Sequence, residues 1–207
     1  MEEIYIFGHK NPDTDTILSA LILEAIEKTM GIHKAKAYRL GEVNKETQYA
    51  LDYFGVKAPE LLEEVEEGRQ VMLVDHNEFN QSVKGIEKAK IIRVVDHHKI
   101  ANFETHEPLF YLAMPVGCTA TILRDMCNVS GIKLDRITAG LMLSAIISDT
   151  LLLKSPTTTE KDKETAEELA KIANVDLNAY GMDMLKAGTD LSEFTAEQLI
   201  NMDSKPF

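Results

Sequence analysis

The 207-residue sequence has only two cysteines, no tryptophan and no long apolar run. Cys118 and Cys127 are too few for a disulfide framework and do not form a CxxC metal-binding pair, which favours a reducing, cytoplasmic location. No apolar run approaches the roughly 20 residues of a transmembrane helix. The first residues, MEEIYIFGH, are acidic where a secretory signal would be basic, so we expect no export and no membrane partner.

Basic residues are also scarce. The chain has 22 Lys and Arg against 34 Asp and Glu, which gives a formal net charge of -12. Because a nucleic-acid-binding surface depends on positive charge along the phosphate backbone, we do not expect nucleic acid as a partner. The remaining composition, 44% hydrophobic and 27% charged, is typical of a globular protein with a sizeable core.

Short apolar runs alternate with amphipathic segments up to about residue 115, and only helical periodicity follows. Strands are predicted at Glu3–Phe7, Lys34–Arg39, Val71–Val74 and Ile91–Val95. Helices are predicted over residues 16–29, 45–54, 117–127, 136–147, 160–172 and 177–185, with a short one around 195–200. The charged run 60–69 is predicted to be a solvated helix face. This order predicts an α/β fold with a doubly wound, mainly parallel five-stranded sheet, helices on both faces and a helical carboxyl-terminal part.

Acidic and histidine side chains follow three of the predicted strands. The segment GHKNPDTD at 8–15 leaves the first strand, Asp75 closes the third, and Asp96-His97-His98 closes the fourth. Because ligands of open α/β sheets bind beyond the carboxyl ends of the strands, we expect these groups to share one crevice. Asp149, at the end of an apolar helix, is a further candidate.

Several carboxylates in one crevice repel one another and lose hydration, and a divalent cation removes both costs. Four aspartates with two or three imidazoles are enough for two ions. Oxygen and imidazole ligands without thiolate favour manganese, cobalt, iron or zinc. Two such ions side by side are typical of displacement at phosphorus.

Ordinary structural roles are the alternative for each residue alone. Asp15 or Asp75 could cap the following helix, and an Asp-His pair could be a simple salt bridge. The free amides of residues 117–119, at the start of a helix, could approach an anion or serve as an ordinary cap. The convergence of all these groups on one sheet edge favours the metal site.

Four segments resemble the signature segments of the DHH phosphoesterase superfamily: GHKNPDTD (8–15), VDHNE (74–78), VVDHHK (94–99) and SAIISDT (144–150). The sequence between these segments is similar to that of the manganese-dependent family II inorganic pyrophosphatases. The supporting segments are RLGEVNKETQYALDYFG (39–55), IANFETHEPLFY (100–111), PVGCTATIL (115–123) and LLLKSPTTTEKD (151–162). The resemblance therefore covers essentially the whole chain.

The resemblance implies hydrolysis of pyrophosphate to two phosphates, with two Mn²⁺ ions (Co²⁺ as a substitute), Mg²⁺ accompanying the substrate, and a metal-bridging hydroxide as the nucleophile. It implies that the metal ligands are His9, Asp13, Asp15, Asp75, His97 and Asp149. His9 and Asp13 would bind one ion, Asp15 and His97 the other, and Asp75 would bridge them. His98 and Asp75 would be the catalytic residues. His98 and Lys205 would contact the substrate, and Asp96 would orient an imidazole ring. A homodimer through this domain is also implied.

The resemblance further implies a division of the chain. Residues 1–190 would be the DHH metal-binding catalytic domain, and residues 191–207 the start of a linker to a substrate-clamping domain that lies beyond Phe207. We therefore expect weak activity from this chain. The alternatives are a DHH-type phosphodiesterase acting on short oligonucleotides or cyclic dinucleotides, and a catalytically incompetent metal-binding and dimerisation core.

Overall fold

The computed structural model describes residues 3–189, in which parallel strands come first and helices follow. The strands are β1 (Ile4–Phe7), β2 (Ala35–Arg39), β3 (Glu60–Leu61), β4 (Gln70–Val74), β5 (Lys90–Asp96) and β6 (Phe110–Ala113). The helices are α1 (Thr14–Met30), α2 (Lys45–Phe54), α3 (Thr119–Val129), α4 (Arg136–Asp149), α5 (Glu160–Ala173) and α6 (Leu177–Gly188). Within these residues, no helix is both long and apolar enough to cross a membrane.

The strands form one sheet in the order β3-β2-β1-β4-β5-β6, and all neighbours are parallel. The chain moves outward from β1 to β3, returns to β4 beside β1, and then moves outward in the other direction. The reversal between β1 and β4 leaves a crevice beyond the carboxyl ends of these two strands, where open α/β sheets bind ligands.

The two faces of the sheet are covered differently. Ile6, Met72 and Val95 point to the face that carries all the described α-helices, and α1 and α4 are buried there on nearly every side. Phe7 and Leu73 point to the opposite face, which is covered by loops and by 3₁₀ turns at Phe79–Gln81 and Ile86–Lys88. Each half of the sheet uses right-handed crossovers, so the connections of the second half lie on this opposite face.

The predicted α/β class with a parallel sheet is confirmed, with three differences. The sheet has six strands rather than five, because β3 is only two residues long and β6 is a half-exposed edge strand without a continuous buried run. The α-helices lie on one face, because the second half connects its strands with loops and 3₁₀ turns. Residues 60–69 contain β3 and turns instead of a helix.

Several predicted helix boundaries agree with the structure. The helix α2 covers Lys45–Phe54 and ends at Gly55, as predicted, and α4 and α5 begin at the predicted residues. The helix α1 begins two residues earlier than expected. The predicted helix around 195–200 and the predicted linker 191–207 lie outside the described residues.

Candidate metal centre

The first part of the site is the loop from β1 into α1. Asp13 caps α1, since its Oδ1 accepts a hydrogen bond from Thr16 N at 2.9 Å. The expectation that Asp15 caps this helix is wrong, because the helix already begins at Thr14. Gly8 is required at the end of β1, because a Cβ atom there would lie 2.5 Å from Thr16 Cγ2. This close approach places Thr16 and the aspartates beside the end of the sheet.

Asp75 lies at the centre of the site, directly after β4. Its side chain is almost completely buried and accepts hydrogen bonds from Thr16 Oγ1 at 2.5 Å and Thr119 Oγ1 at 3.1 Å. Its φ of 59° is in the left-handed region, which costs a residue with a side chain about 1–2 kcal/mol. The next helical element is the 3₁₀ turn at Phe79–Gln81, whose N-cap is Glu78, so the alternative role of helix cap is wrong for Asp75. The strained backbone is typical of functional sites.

His97 enters the site from the end of β5. Its Nδ1 lies 3.0 Å from the carbonyl oxygen of Val116, and because a carbonyl only accepts, Nδ1 must carry a proton. The other ring nitrogen, Nε2, therefore faces the carboxylates. It lies 3.3 Å from Asp75 Oδ1 and 3.6 Å from Asp149 Oδ2. This tautomer is the one that presents a metal-binding nitrogen to the site.

Asp15 is completely buried in the first turn of α1 and is held by neutral donors. Its Oδ1 accepts from Ser19 Oγ at 2.6 Å, and its Oδ2 accepts from the amide of Thr119 at 2.7 Å. The free amide noted at the start of α3 thus contacts a carboxylate of the protein itself. Both hydrogen bonds fix the orientation of Asp15 and do not neutralise its charge.

The side chains form three overlapping groups that share Asp75, one of which joins Asp75 and His97 to His98. The other two contain all six predicted metal ligands. The first of these two comprises His9, Asp13 and Asp75, with His9 Nε2 at 3.4 Å from Asp13 Oδ2 and 3.5 Å from Asp75 Oδ2. The second comprises Asp15, Asp75, His97 and Asp149. Within each of these two groups the candidate ligand atoms lie within 4.8 Å of one another, which suits one divalent ion per group.

The charges of these groups are strongly coupled. Burial and the neighbouring Asp75 raise the pKa of Asp15 to about 7, and burial with Asp15 and Asp75 raises the pKa of Asp149 to about 12. Burial opposes ionisation of Asp75 too, but its bonds to His9 and His97 hold its pKa well below the usual range. Despite burial, the paired carboxylates raise the pKa of His9 to about 10 and of His97 to about 9. Protons on His9, His97 and Asp149 therefore offset the negative charge of the cluster, a role that bound divalent ions would otherwise fill.

His98 lies at the open side of the cluster, with its side chain 51% exposed. Its Nδ1 is 2.9 Å from Asp96 Oδ1 and 3.7 Å from Asp75 Oδ1. Asp96 is completely buried, and Asn77 Nδ2 donates to its Oδ2 at 2.6 Å. Asp96 therefore orients His98 toward the opening of the crevice.

The structure brings the six predicted metal ligands into one cluster and places His98 beside it. Lys205 lies outside the described residues. Sequence reasoning missed the polar groups that hold the carboxylates, namely the side chains of Thr16, Ser19, Asn77 and Thr119. It also missed Glu46, which accepts from Thr14 and Ser148, the neighbours of three candidate ligands. The hydroxyl and amide side chains could not be recognised from the sequence, because Ser, Thr and Asn are common in every loop.

Comparison with known proteins agrees with this geometry. Residues 3–146 match the family model described as DHH family, N-terminal domain. The chain is 59% identical over 207 residues to an Oceanobacillus iheyensis protein, and 57% identical over 208 residues to one from Bacillus subtilis. Both are described as manganese-dependent inorganic pyrophosphatases. Each match covers 100% of this chain and 67% of the relative.

Solved structures share the fold. A Methanococcus jannaschii structure described as a family II inorganic pyrophosphatase superimposes with a TM-score of 0.82 at 44% identity, over 90% of this chain and 61% of that one. An exopolyphosphatase-related protein from Bacteroides fragilis matches with a TM-score of 0.68 at 14% identity, a likeness of fold alone. The family model covers more than half of this sequence, and the curated relatives share well over half of its residues. The chain therefore belongs to the DHH family and, within it, to the manganese-dependent inorganic pyrophosphatases.

Proposed function

We propose that this chain binds two Mn²⁺ ions in the cluster and hydrolyses inorganic pyrophosphate to two phosphates. The observation that carries the proposal is the pair of ligand groups that share Asp75. It is supported by the close similarity to relatives that are described as manganese-dependent inorganic pyrophosphatases.

The donor set fits such ions. His9, Asp13 and Asp75 would hold one ion, and Asp15, Asp75, His97 and Asp149 the other. Bound there, divalent ions supply positive charge to phosphate oxygens and lower the pKa of water. Asp75 belongs to both groups, and Thr16 donates to its Oδ2 while Thr119 donates to its Oδ1, so the orientation of the shared carboxylate is fixed.

His98 is the chain's own group for the substrate. It lies at the opening, is half-exposed, and is held by Asp96, which also accepts the backbone amide of His98 at 3.0 Å. The Asp96 carboxylate raises the pKa of His98 and so favours the protonated ring, which can donate to a phosphate oxygen. We therefore assign His98 to phosphate binding and proton transfer.

The chain spans 67% of the length of the two curated relatives, so the proposal includes a division of labour. Residues 1–190 would supply the metal centre, and residues 191–207, with Lys205 as a substrate contact, would lead to a separate clamping domain. Without the positive charge of such a domain, pyrophosphate meets a cleft rich in aspartates. Loss of preorganised charge donors costs about a hundredfold or more in rate.

The experiment is steady-state phosphate release from pyrophosphate with saturating Mn²⁺ and Mg²⁺. We expect measurable turnover that Asp75→Asn abolishes, and a rate at least about a hundredfold below that of a chain extended to full family length. Short oligonucleotides and cyclic dinucleotides serve as competing substrates. Faster cleavage of either would favour the phosphodiesterase alternative, and no turnover with normal Mn²⁺ binding would favour the incompetent core.

We also propose a homodimer and a cytoplasmic location. The edge strand β6 pairs only with β5 among the described strands and carries Phe110, which is 49% exposed. An open strand with an exposed aromatic ring favours association with another chain. Cys118 and Cys127 are free and buried, which fits a reducing compartment. Sedimentation equilibrium at micromolar concentration tests the dimer, and a 23.2 kDa species would contradict it.

A further inference from the structure

The peptide group between Val116 and Gly117 connects His97 of the metal cluster to the carboxylate of Asp162 on α5. The carbonyl of Val116 and the amide of Gly117 belong to the same peptide bond. The carbonyl accepts from His97 Nδ1 at 3.0 Å, and the amide donates to Asp162 Oδ2 at 2.8 Å. A continuous hydrogen-bonded path thus runs from Asp162 through this peptide to the ring of His97, and its Nε2 faces Asp75 and Asp149.

Asp162 is completely buried and lies in the first turn of α5, away from the metal cluster. At the start of its own helix it accepts from Thr159 N at 2.8 Å and Thr159 Oγ1 at 2.6 Å. Its amide donates to Thr159 Oγ1 at 3.3 Å, which completes the capping box. From the other side, Gly117 N and Thr121 Oγ1 donate to it, the latter at 2.7 Å. A helix cap alone needs only the bonds to Thr159, so the two bonds toward residues 117–121 require another explanation.

We propose that Asp162 is a positioning residue for the metal centre, acting on His97 through the peptide between Val116 and Gly117. This inference rests on the proposed function. Hydrogen bonds in series polarise one another, so the carboxylate makes the Val116 carbonyl a stronger acceptor. A stronger acceptor at Nδ1 fixes the ring orientation and makes Nε2 a better metal ligand, as carboxylates do when they contact metal-bound histidines directly.

A second contact set supports the same role. Asp162 holds Gly117 and Thr121, which lie on either side of Thr119. Thr119 in turn donates its amide to Asp15 and its hydroxyl to Asp75. A single buried carboxylate therefore fixes the segment that orients three members of the four-residue group.

The space around Gly117 gives a second way to test the path. A Cβ atom there would lie 2.8 Å from Asp162 Oδ2 and 3.0 Å from Thr150 Cγ2. Gly117→Ala must therefore push the carboxylate and the peptide apart while leaving the Asp162 side chain present. It tests the contact without removing Asp162.

The experiment measures Mn²⁺ affinity by calorimetric titration with the metal alone. We expect Asp162→Asn and Gly117→Ala each to weaken Mn²⁺ binding about tenfold to a hundredfold, the usual effect of losing a partner of a metal-ligating histidine. The matched control is Thr159→Val, which removes a hydrogen bond to the same carboxylate on the α5 side only. Its Mn²⁺ affinity should stay within about threefold, even though its melting temperature falls.

A spectroscopic measurement separates positioning from general damage. In the Zn²⁺-loaded chain, long-range ¹H–¹⁵N correlations should show a shifted His97 Nδ1 in Asp162→Asn and Gly117→Ala, and an unchanged one in Thr159→Val. Equal Mn²⁺ affinity in Asp162→Asn and the unchanged chain would overturn the inference. If Asp162→Asn does not fold, unchanged affinity in Gly117→Ala overturns it. Failure of the unchanged chain to bind Mn²⁺ would instead reject the proposed function, and this inference with it.

Discussion

The two ends of helix α1 each hold a completely buried carboxylate, and the two are compensated in different ways. Glu27, near the carboxyl end, is paired with Arg93 and accepts from His33 Nδ1 at 2.5 Å. Asp15, near the amino end, is held by neutral donors and lies beside Asp75 and Asp149. The fold thus pairs Glu27 with the permanent positive charge of Arg93, whereas both hydrogen bonds to Asp15 come from uncharged donors.

This difference separates a structural acid from a functional one. At the Glu27 end, the side chains of Arg93 and His33 complete the interaction within the fold. At the Asp15 end, several carboxylates lie close together despite their mutual repulsion. The backbone is also strained there, since Asp75 and the three leucines at 151–153, which follow Asp149, have positive φ angles between 49° and 63°. Such costs persist where function requires them. The four predictions below test this comparison.

The largest effect is expected at Asp75, which belongs to both ligand groups. Asp75→Asn removes the charge that both groups share, so pyrophosphate hydrolysis should fall by about a thousandfold or more. Phosphate release at saturating Mn²⁺ measures this. A loss below about tenfold would contradict the shared role of Asp75.

At the other end of α1 the effect should be on stability. Glu27→Gln leaves the partly buried Arg93 without its partner charge, so the free energy of unfolding should fall by about 3 kcal/mol. Urea denaturation of the metal-free chain measures this, with Mn²⁺ affinity as the control. A change in Mn²⁺ affinity beyond about threefold would show that the two ends are not independent.

The matching substitution at the metal centre should behave in the opposite way. Because the pKa of Asp149 is raised to about 12, its carboxyl group is neutral near pH 7 in the metal-free chain, and Asn resembles that form. Asp149→Asn should therefore change the metal-free unfolding free energy by no more than about 0.5 kcal/mol, within the range of neutral substitutions. It should also remove most of the stabilisation by Mn²⁺. A loss similar to that of Glu27→Gln would contradict the distinction.

The last prediction concerns a release of protons. In the metal-free fold the pKa values of His9 and His97 are raised to about 10 and about 9, so both rings are protonated at pH 7. Metal binding must displace these protons together with the proton on Asp149, so Mn²⁺ affinity should rise with pH, by up to about tenfold per unit for each proton released. Calorimetry in buffers of different ionisation enthalpy counts the protons. A pH-independent affinity would contradict the pairing of both histidines with carboxylates.

The sequence was sufficient to predict the strands that carry the site. The strands β1, β4 and β5 are buried, apolar and followed by acids, so both their existence and their common edge could be inferred. It was not sufficient for β3, which has two exposed residues, or for the distribution of helices over the two faces. The latter depends on which crossovers contain a helix, and apolar periodicity does not specify this.

The ligands were predictable because acids and histidines are conspicuous after buried strands. The groups that hold them were not, because each acts across a long stretch of sequence. Thr119 reaches Asp15 across 104 residues, and Gly117 reaches Asp162 across 45. No local pattern distinguishes these residues from ordinary loop and helix-cap residues, and only the folded chain brings them together.

The contact between Asp15 and Thr119 also has a consequence for the order of folding. A contact that closes so long a loop forms late, after the sheet and α1 have brought its ends together. We therefore expect the complete metal centre to form only after the folding transition state. Interactions that form after this barrier slow unfolding and leave the folding rate nearly unchanged. Mn²⁺ should thus prolong the lifetime of the native chain without acting as a folding nucleus.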